Sequence, residues 1–255
     1  MRDFFTAVSV LTVFPVNRHS ASSTALASSA FYFPLVGFFV GFALAGAVGL
    51  LRPLLPPGPL AALAVVFQMV ITGGFHLDGL ADLCDGLAAG GDRARILSVM
   101  KDSRIGAFSV MGLVAILLLK YTLFYEVIAR GSVQAFLIMG TVSRWAMMLA
   151  ATLGRYAREE GTAKPFIGKI GWGQCAASSV LALLLVGAIG RIPGLLSFLI
   201  VFPTVLLLNR LLEAKIGGWT GDALGTLNEI SEVLVLFLMV ALSPSLEGVL
   251  PAPGA

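Results

Sequence analysis

The sequence predicts an all-α, polytopic integral membrane protein: a helical bundle of about seven transmembrane helices with an interfacial N-terminal helix. Of its 255 residues, 58% are hydrophobic and only 12% are charged, whereas soluble domains run to about 25% charged residues. Long apolar runs recur along the chain, each close to the ~20 residues that a helix needs to cross the hydrocarbon core. A chain of 255 residues suits one bundle, so we expect a single membrane-embedded domain over residues 1–255.

Seven apolar runs are candidate spans. They are Phe31–Leu51, Leu60–Phe75, Ala107–Tyr125, Val133–Leu153, Trp172–Gly190, Gly194–Leu212 and about Ile230–Leu250. The second run is short, so its helix is expected to continue into the polar segment that follows. Ahead of the first run, apolar residues recur at helical spacing from Phe4 to Leu11, which is typical of a helix in the membrane interface and equally of a buried core helix.

Lysine and arginine fall mainly on one side of the predicted membrane. With the N-terminus inside, twelve of the 17 basic residues lie on inside segments, and only Arg52, Arg130 and Arg191 lie opposite. Cytoplasmic loops carry the excess of Lys and Arg, so the N-terminus is predicted in the cytoplasm. Most acidic residues, Glu229 and Glu232 included, are predicted on the same segments, which favours chemistry at the cytoplasmic face. The net charge of +3 is too small to argue for nucleic acid.

Three aspartates follow the second run, in the segment GGFHLDGLADLCDG at residues 73–86. On a helix, Asp78, Asp82 and Asp85 stand at i, i+4 and i+7 and share one face, where like charges destabilise the helix. Hard cations such as Mg²⁺ take oxygen ligands, usually a few carboxylates together with substrate phosphates. The pattern predicts a metal site, and a solvated acidic helix end is the alternative.

Two glycines and a histidine accompany these aspartates. Gly79 and Gly86 each follow an aspartate; they cost helix stability, about 1 kcal/mol each relative to alanine, and are expected to leave room for a bulky ligand. His76 lies about 160° from Asp78 around the helix, away from the aspartate face. A hydrogen-bonded interfacial histidine and a catalytic acid or base both remain open for it.

Two further segments and one intramembrane arginine carry candidate binding residues. Residues 100–107 (MKDSRIGA) offer cations suited to phosphate oxygens, although basic residues here also anchor helix ends. Residues 217–232 (GGWTGDALGTLNEISE) place Asp222 and Glu229 on a second acidic face, with an N-cap as the alternative for Asp222. Arg144 lies within the fourth span, which costs about 2.5–3.5 kcal/mol on insertion scales, so we expect a carboxylate or a ligand phosphate as its partner.

The segments at 73–86, 100–106 and 217–232 together resemble the cobalamin 5′-phosphate synthase family, also called adenosylcobinamide-GDP ribazoletransferases. The resemblance runs over nearly the whole chain, and the order and spacing of the three motifs are specific. It implies a Mg²⁺-dependent phosphotransferase of cobalamin (vitamin B12) biosynthesis in the bacterial inner membrane. The implied reaction transfers adenosylcobinamide phosphate from adenosylcobinamide-GDP to α-ribazole, or to its 5′-phosphate, and releases GMP.

The resemblance and the residues themselves together give a set of candidate site residues. The family's acidic motif carries over to Asp78, Asp82 and Asp85, which are the candidate metal ligands, and which of them acts as a base and which as a ligand stays open. Asp82, Asp85 and His76 are the candidate catalytic residues, with the hypothesis that Asp85 accepts the proton of the attacking hydroxyl. The candidate substrate- and phosphate-binding residues are Lys101, Asp102, Arg104, Arg144, Asp222 and Glu229. Among them, Arg144 is chosen for its position within a predicted span and not for the resemblance. Membrane lipid is an expected partner, and a homo-oligomer is left open.

Three other classes of protein stay as alternatives. A membrane CDP-alcohol phosphotransferase or a prenyltransferase also uses Mg²⁺ and Asp-rich helices, but the arginine and the later paired aspartates that complete the former's motif are missing. A cation transporter predicts carboxylates deep within several spans, where this sequence is expected to hold almost none. A structural membrane subunit leaves the clustered acids unexplained.

Overall fold

The structure is a computed structural model that describes residues 2–16 and 22–242. This part of the chain is all-α: it has no strand, only an isolated bridge between Tyr156 and Trp219. A short 3₁₀ turn joins the second and third helices. The helices are α1 (Arg2–Leu11), α2 (Ser23–Ser29), α3 (Phe33–Leu51), α4 (Pro57–Thr72), α5 (Phe75–Ala89), α6 (Arg93–Val99), α7 (Ala107–Ala129), α8 (Gln134–Leu153), α9 (Trp172–Ile216) and α10 (Gly221–Leu242).

Among the described residues, six helical segments are long and apolar enough to cross a membrane, and the bent pair α4–α5 makes a seventh if it counts as one span. The predicted all-α, multi-pass membrane bundle is therefore confirmed. Helix α9 supplies two spans, Trp172–Gly190 and Ile192–Ile216. The chain reverses between them: a Cβ on Gly194 would stand 3.4 Å from the carbonyl oxygen of Val186, whereas eight residues of straight helix cover about 12 Å.

Helix α4 does not continue into the aspartate segment, so that prediction is wrong. Gly73 and Gly74 adopt φ angles of 67° and 68°, a left-handed backbone that glycine adopts without steric cost. The two residues end α4 and turn α5 by 90°. The aspartates consequently lie on a separate helix that runs across the direction of α4.

The last span begins earlier than predicted. Its helix, α10, starts at Gly221, whereas the hydropathy pattern placed the start at about Ile230. The carboxylates that precede Ile230 are thus part of the spanning helix. The end predicted for this span, at 243–250, lies outside the described residues.

Helix α8 lies at the centre of the bundle, since 83% of the residues in its most apolar stretch are buried. Helix α8 packs against α3, α9 and α10. The N-terminal helix α1 is too short to span, since its 10 residues cover about 15 Å. It buries Ala7 and Leu11 in the bundle and leaves Phe5 exposed, so it has a core face as well as an open one.

Candidate active site

Helices α5 and α10 cross in direct backbone contact, which brings the two predicted acidic faces together. Gly79 of α5 lies against Asp222 of α10, where a Cβ would stand 2.7 Å from the Cα of Asp222. Gly225 of α10 lies in the same way against His76, with a Cβ 3.0 Å from its Cα. The Oγ1 of Thr226 donates a hydrogen bond of 3.3 Å to the carbonyl oxygen of Gly79. The crossing therefore places Asp222 beside the aspartates of α5.

The space beside the α5 glycines is filled by protein. A Cβ on Gly79 would collide with α10, and a Cβ on Gly86 would collide with the side chain of Met100. The expectation that these glycines leave room for a bulky ligand is wrong. They instead allow neighbouring segments of the protein to pack closely against α5.

Gly79→Ala is expected to lower the free energy of unfolding by about 1–3 kcal/mol, the usual cost of overpacking, and to reduce activity because α10 must move away from α5. Gly46→Ala on α3 is the matched control, since a Cβ there meets nothing within 4 Å. That variant should be neutral or more stable by up to about 1 kcal/mol. Both are measured by unfolding in detergent; equal stability of the two variants would contradict the close crossing.

Asp82 lies close to two other carboxylates, those of Asp78 and Asp222. It is half-buried on α5, which runs at 90° to α4 and is not one of the six spanning segments. The pKa of Asp82 is raised to about 6, first by burial and then by repulsion from Asp222 and Asp78, while Arg158 acts in the opposite direction. Asp78 is exposed. The three carboxylates thus carry an excess of negative charge that a cation would relieve.

The carboxylate of Asp85 accepts hydrogen bonds from the beginning of α7. Its Oδ2 accepts a hydrogen bond of 2.6 Å from the backbone N–H of Gly106 and one of 2.5 Å from the hydroxyl of Ser109. Its Oδ1 accepts one of 2.9 Å from the backbone N–H of Ser109. The Ser109 hydroxyl is the main cause that lowers the pKa of Asp85. Asp85 therefore ties α5 to α7 by capping a helix start, a role that the sequence analysis did not foresee.

Asp222 is held by an arginine that the sequence analysis did not single out. The Nη2 of Arg158 lies 2.7 Å from the Oδ2 of Asp222. The loop that carries Arg158 is fixed to the start of α10, because Ala157 donates a backbone hydrogen bond of 2.8 Å to Trp219, and Trp219 donates one of 2.7 Å to Arg155. No spacing in the sequence signals this contact, which joins residues 64 positions apart.

The basic segment before α7 is largely exposed. Arg104 binds Asp102 through both its Nε and its Nη2, the latter at 2.6 Å. Arg104 also lowers the pKa of Asp102 to about 2, chiefly through a side-chain hydrogen bond. Lys101 is exposed. A phosphate-binding role for these three residues stays a prediction.

A second cluster of charged residues lies inside the bundle. The Nζ of Lys120 on α7 stands 2.5 Å from the Oε2 of Glu229 and 2.7 Å from the Oε2 of Glu232, both on α10. Arg144 on α8 pairs with the Oε1 of Glu232. The Nε2 of Gln68 on α4 donates a hydrogen bond of 2.8 Å to Glu232. Two cations thus balance two carboxylates, and four helices are joined.

The prediction that Glu229 forms an open acidic face with Asp222 at a loop is wrong, whereas the side of the membrane on which these residues lie stays a prediction. Because α10 begins at Gly221, Glu229 lies two turns inside the helix, where it is 3% exposed. The predicted partner of Arg144 was a carboxylate or a ligand phosphate, and the structure supplies the carboxylate of Glu232. The bundle can bury these acids because each has a cation against it.

His76 is buried and faces the interior. Only 2% of it is exposed, and neither ring nitrogen has a hydrogen-bond partner among the described residues. Its ring makes an edge contact with Phe75, with centroids 4.2 Å apart. The interpretation of His76 as a hydrogen-bonded histidine at the membrane interface is therefore wrong. A catalytic role for His76 stays a prediction.

The α5–α10 crossing offers the donor atoms that Mg²⁺ prefers, without a complete metal cage. In the described ranges, no three His, Cys, Asp or Glu side chains are grouped so as to hold a metal ion by themselves. Mg²⁺ is commonly held by one or two carboxylates, waters and substrate phosphates. Asp78, Asp82 and Asp222 fit that mode of binding, because their charges crowd each other and their oxygens are hard ligands.

Comparison with known protein families gives one match that covers nearly all of the chain. A family model described as cobalamin-5-phosphate synthase matches residues 3–240. The chain belongs to the cobalamin-5-phosphate synthase family. The resemblance seen in the three sequence motifs is confirmed, and none of the comparisons favours a CDP-alcohol phosphotransferase, a prenyltransferase or a transporter.

Individual members of the cobalamin-5-phosphate synthase family match almost end to end, and three of them are named adenosylcobinamide-GDP ribazoletransferase. The protein of Geotalea daltonii is 36% identical over 243 residues, 95% of this chain and 98% of the relative. That of Syntrophobacter fumaroxidans is 38% identical over 237 residues, 91% and 96% of the two chains. That of Klebsiella pneumoniae subsp. pneumoniae is 36% identical over 246 residues, 94% and 100%. No solved structure matches this chain.

Proposed function

We propose that this chain transfers the adenosylcobinamide phosphate group from adenosylcobinamide-GDP to α-ribazole, or to α-ribazole 5′-phosphate, and releases GMP. The product is adenosylcobalamin or its 5′-phosphate, in the last assembly step of the cobalamin nucleotide loop. The relatives are named for this activity. The observation that carries the proposal is the α5–α10 crossing, which gathers Asp78, Asp82 and Asp222 beside Arg158.

The reaction is a displacement at phosphorus. A ribose hydroxyl of α-ribazole attacks the phosphorus that carries the cobinamide group, the bond from this phosphorus to the bridging oxygen breaks, and GMP leaves with that oxygen. Such a transfer depends on aligning the attacking and leaving oxygens and on neutralising the phosphate charge. Mg²⁺ held by the carboxylates would supply that neutralisation.

Asp78 and Asp82 are the residues we assign to hold Mg²⁺, with Asp222 bordering the same space. We remove Asp85 from the role of proton acceptor, because its two oxygens already accept three hydrogen bonds from the start of α7. We assign Asp82 to take the hydroxyl proton instead, since it is half-buried and burial together with repulsion from Asp222 and Asp78 raises its pKa.

We place the active site on the cytoplasmic face of the bacterial inner membrane, with the N-terminus inside. Twelve of the 17 basic residues fall on that side in the seven-span topology, as the positive-inside rule requires. Membrane lipid surrounds the bundle in this proposal, in contact with exposed apolar side chains such as Phe108, Leu118 and Phe202.

The proposal predicts metal-dependent release of GMP from adenosylcobinamide-GDP by the purified protein in detergent or liposomes. With α-ribazole present, GMP should appear with Mg²⁺ and fall to background with EDTA, because no cation would then neutralise the carboxylates and the phosphates. GMP is quantified by chromatography, with restored Mg²⁺ as the control for irreversible damage. No GMP from folded protein with either ribazole form would contradict the proposal.

A further inference from the structure

A cleft of about 730 Å³ opens between α6 and the loop that carries Arg158, whose guanidinium contacts Asp222 of α10. One wall is α6 and the turn after it, with Arg93, Ser98 and Lys101; the other is the loop with Arg158 and Glu159. The two walls are fixed to each other, since the Nη2 of Arg93 donates a hydrogen bond of 2.6 Å to the carbonyl oxygen of Ala157. Its volume falls within the range of roughly 300–1,000 Å³ typical of small-molecule sites.

Arg158 connects this cleft to the acidic cluster. It lines the cleft and also holds Asp222, with 2.7 Å between Nη2 and Oδ2. Its side chain is 13% exposed, and its Nε has no hydrogen-bond partner among the described residues. A group bound in the cleft would therefore meet a guanidinium next to the aspartates, and guanidinium groups bind phosphate oxygens well.

We propose that the cleft binds the nucleotide half of the donor, the part that leaves as GMP. This inference rests on the proposed function. Arg158 binds the phosphate of the leaving nucleotide and separates it from the carboxylate of Asp222, while Arg93 and Lys101 add positive charge along the cleft wall. Glu159 at the other wall accepts hydrogen bonds from the N–H groups on the edge of the guanine base.

The chemistry of the cleft favours this half of the donor over the cobinamide half. The lining carries three cations, Arg93, Lys101 and Arg158, and three carboxylates, Asp92, Glu159 and Glu160. The cations suit an anionic phosphate, and Glu159 and Glu160 supply acceptors for a base that presents donors. Asp92 caps α6 instead, since its Oδ1 accepts a hydrogen bond of 2.8 Å from the backbone N–H of Arg95. The corrin ring is several times larger than a nucleotide and carries a wide apolar face. A cleft of this volume, with charged side chains on both walls, suits the smaller, charged group.

The test is equilibrium binding of GMP to the purified full-length protein in detergent, measured by calorimetry. Ser98 is an exposed cleft residue, and Ser98→Trp fills the cleft with an indole. Ser23→Trp is the matched control, because Ser23 is also exposed on a helix of seven residues and does not line the cleft. We expect Ser98→Trp to weaken GMP binding at least tenfold and Ser23→Trp to leave it unchanged.

Steady-state kinetics provides a second readout. Ser98→Trp should raise the KM for adenosylcobinamide-GDP and leave the KM for α-ribazole unchanged. Wild-type affinity for GMP in Ser98→Trp, or no binding of millimolar GMP by an active wild type, would overturn the assignment of the cleft while the transferase stands. A wild type that binds GMP at the cleft but never releases it from the donor would contradict the proposed function instead.

Discussion

Asp82→Asn is expected to reduce GMP release by about 10²–10⁴-fold, the range that loss of a positioned acid–base group produces. Asparagine keeps the shape of the side chain but carries no negative charge and cannot accept the hydroxyl proton. The expected effect is large because Asp82 is half-buried and is repelled by both Asp222 and Asp78, so that its carboxylate has a raised pKa. Initial rates of GMP release at saturating Mg²⁺ measure it.

The dependence of the rate on Mg²⁺ separates the two roles of Asp82. If it acts chiefly as a ligand, the variant needs more Mg²⁺ for half-maximal rate and recovers activity at high concentration. If it acts chiefly as a base, the Mg²⁺ requirement stays as in the wild type and kcat alone falls. Glu213→Gln is the control, since Glu213 is an exposed carboxylate of α9 outside the site. A wild-type rate in Asp82→Asn would remove Asp82 from the mechanism.

Glu232→Ala is expected to lower the free energy of unfolding by about 3–5 kcal/mol, because removing one partner of a buried ion pair leaves the other charge uncompensated. Glu232 is fully buried and contacts both Lys120 and Arg144. Its loss would leave two cations with one carboxylate, Glu229, inside the bundle. Equilibrium unfolding in mixed detergent micelles measures the change.

Glu126→Ala is the matched control for this prediction. Glu126 also pairs with an arginine, Arg130, at 2.9 Å, but both side chains are partly exposed, and such pairs contribute about 0–1 kcal/mol. Where Glu232→Ala fails to fold, Glu232→Gln supplies the comparison, since it preserves volume and removes only the charge. A loss no larger than that of Glu126→Ala would show that the buried cluster does not stabilise the bundle.

The buried cluster also explains how one helix can serve both the membrane bundle and the site. Helix α10 carries Asp222 at its start and Glu229 and Glu232 two to three turns later. Contacts with α4, α7 and α8 fix the rotation of α10 through the two glutamates. The same rotation turns Asp222 toward Gly79.

The sequence alone determined the class of the fold, most of its spans and the family. These depend on local properties: the lengths of apolar runs, the scarcity of charge and three motifs in a fixed order. Six of the seven predicted spans fall on described helical segments that are long and apolar enough to cross a membrane, because about 20 apolar residues have few other ways to satisfy their backbone groups in lipid.

Only the tertiary structure decided which charged residues meet. Glu229 was predicted beside Asp222, since on sequence both precede an apolar run, but the cations that allow it to be buried come from α7 and α8, about 110 and 85 residues away. Arg158 contacts Asp222 from a loop, and the path of that loop cannot be predicted from the spacing of apolar residues. Asp85 shares its helix face with Asp82, yet the start of α7 occupies it. Pairing across distant segments is set by packing, and a linear pattern of residues does not carry that information.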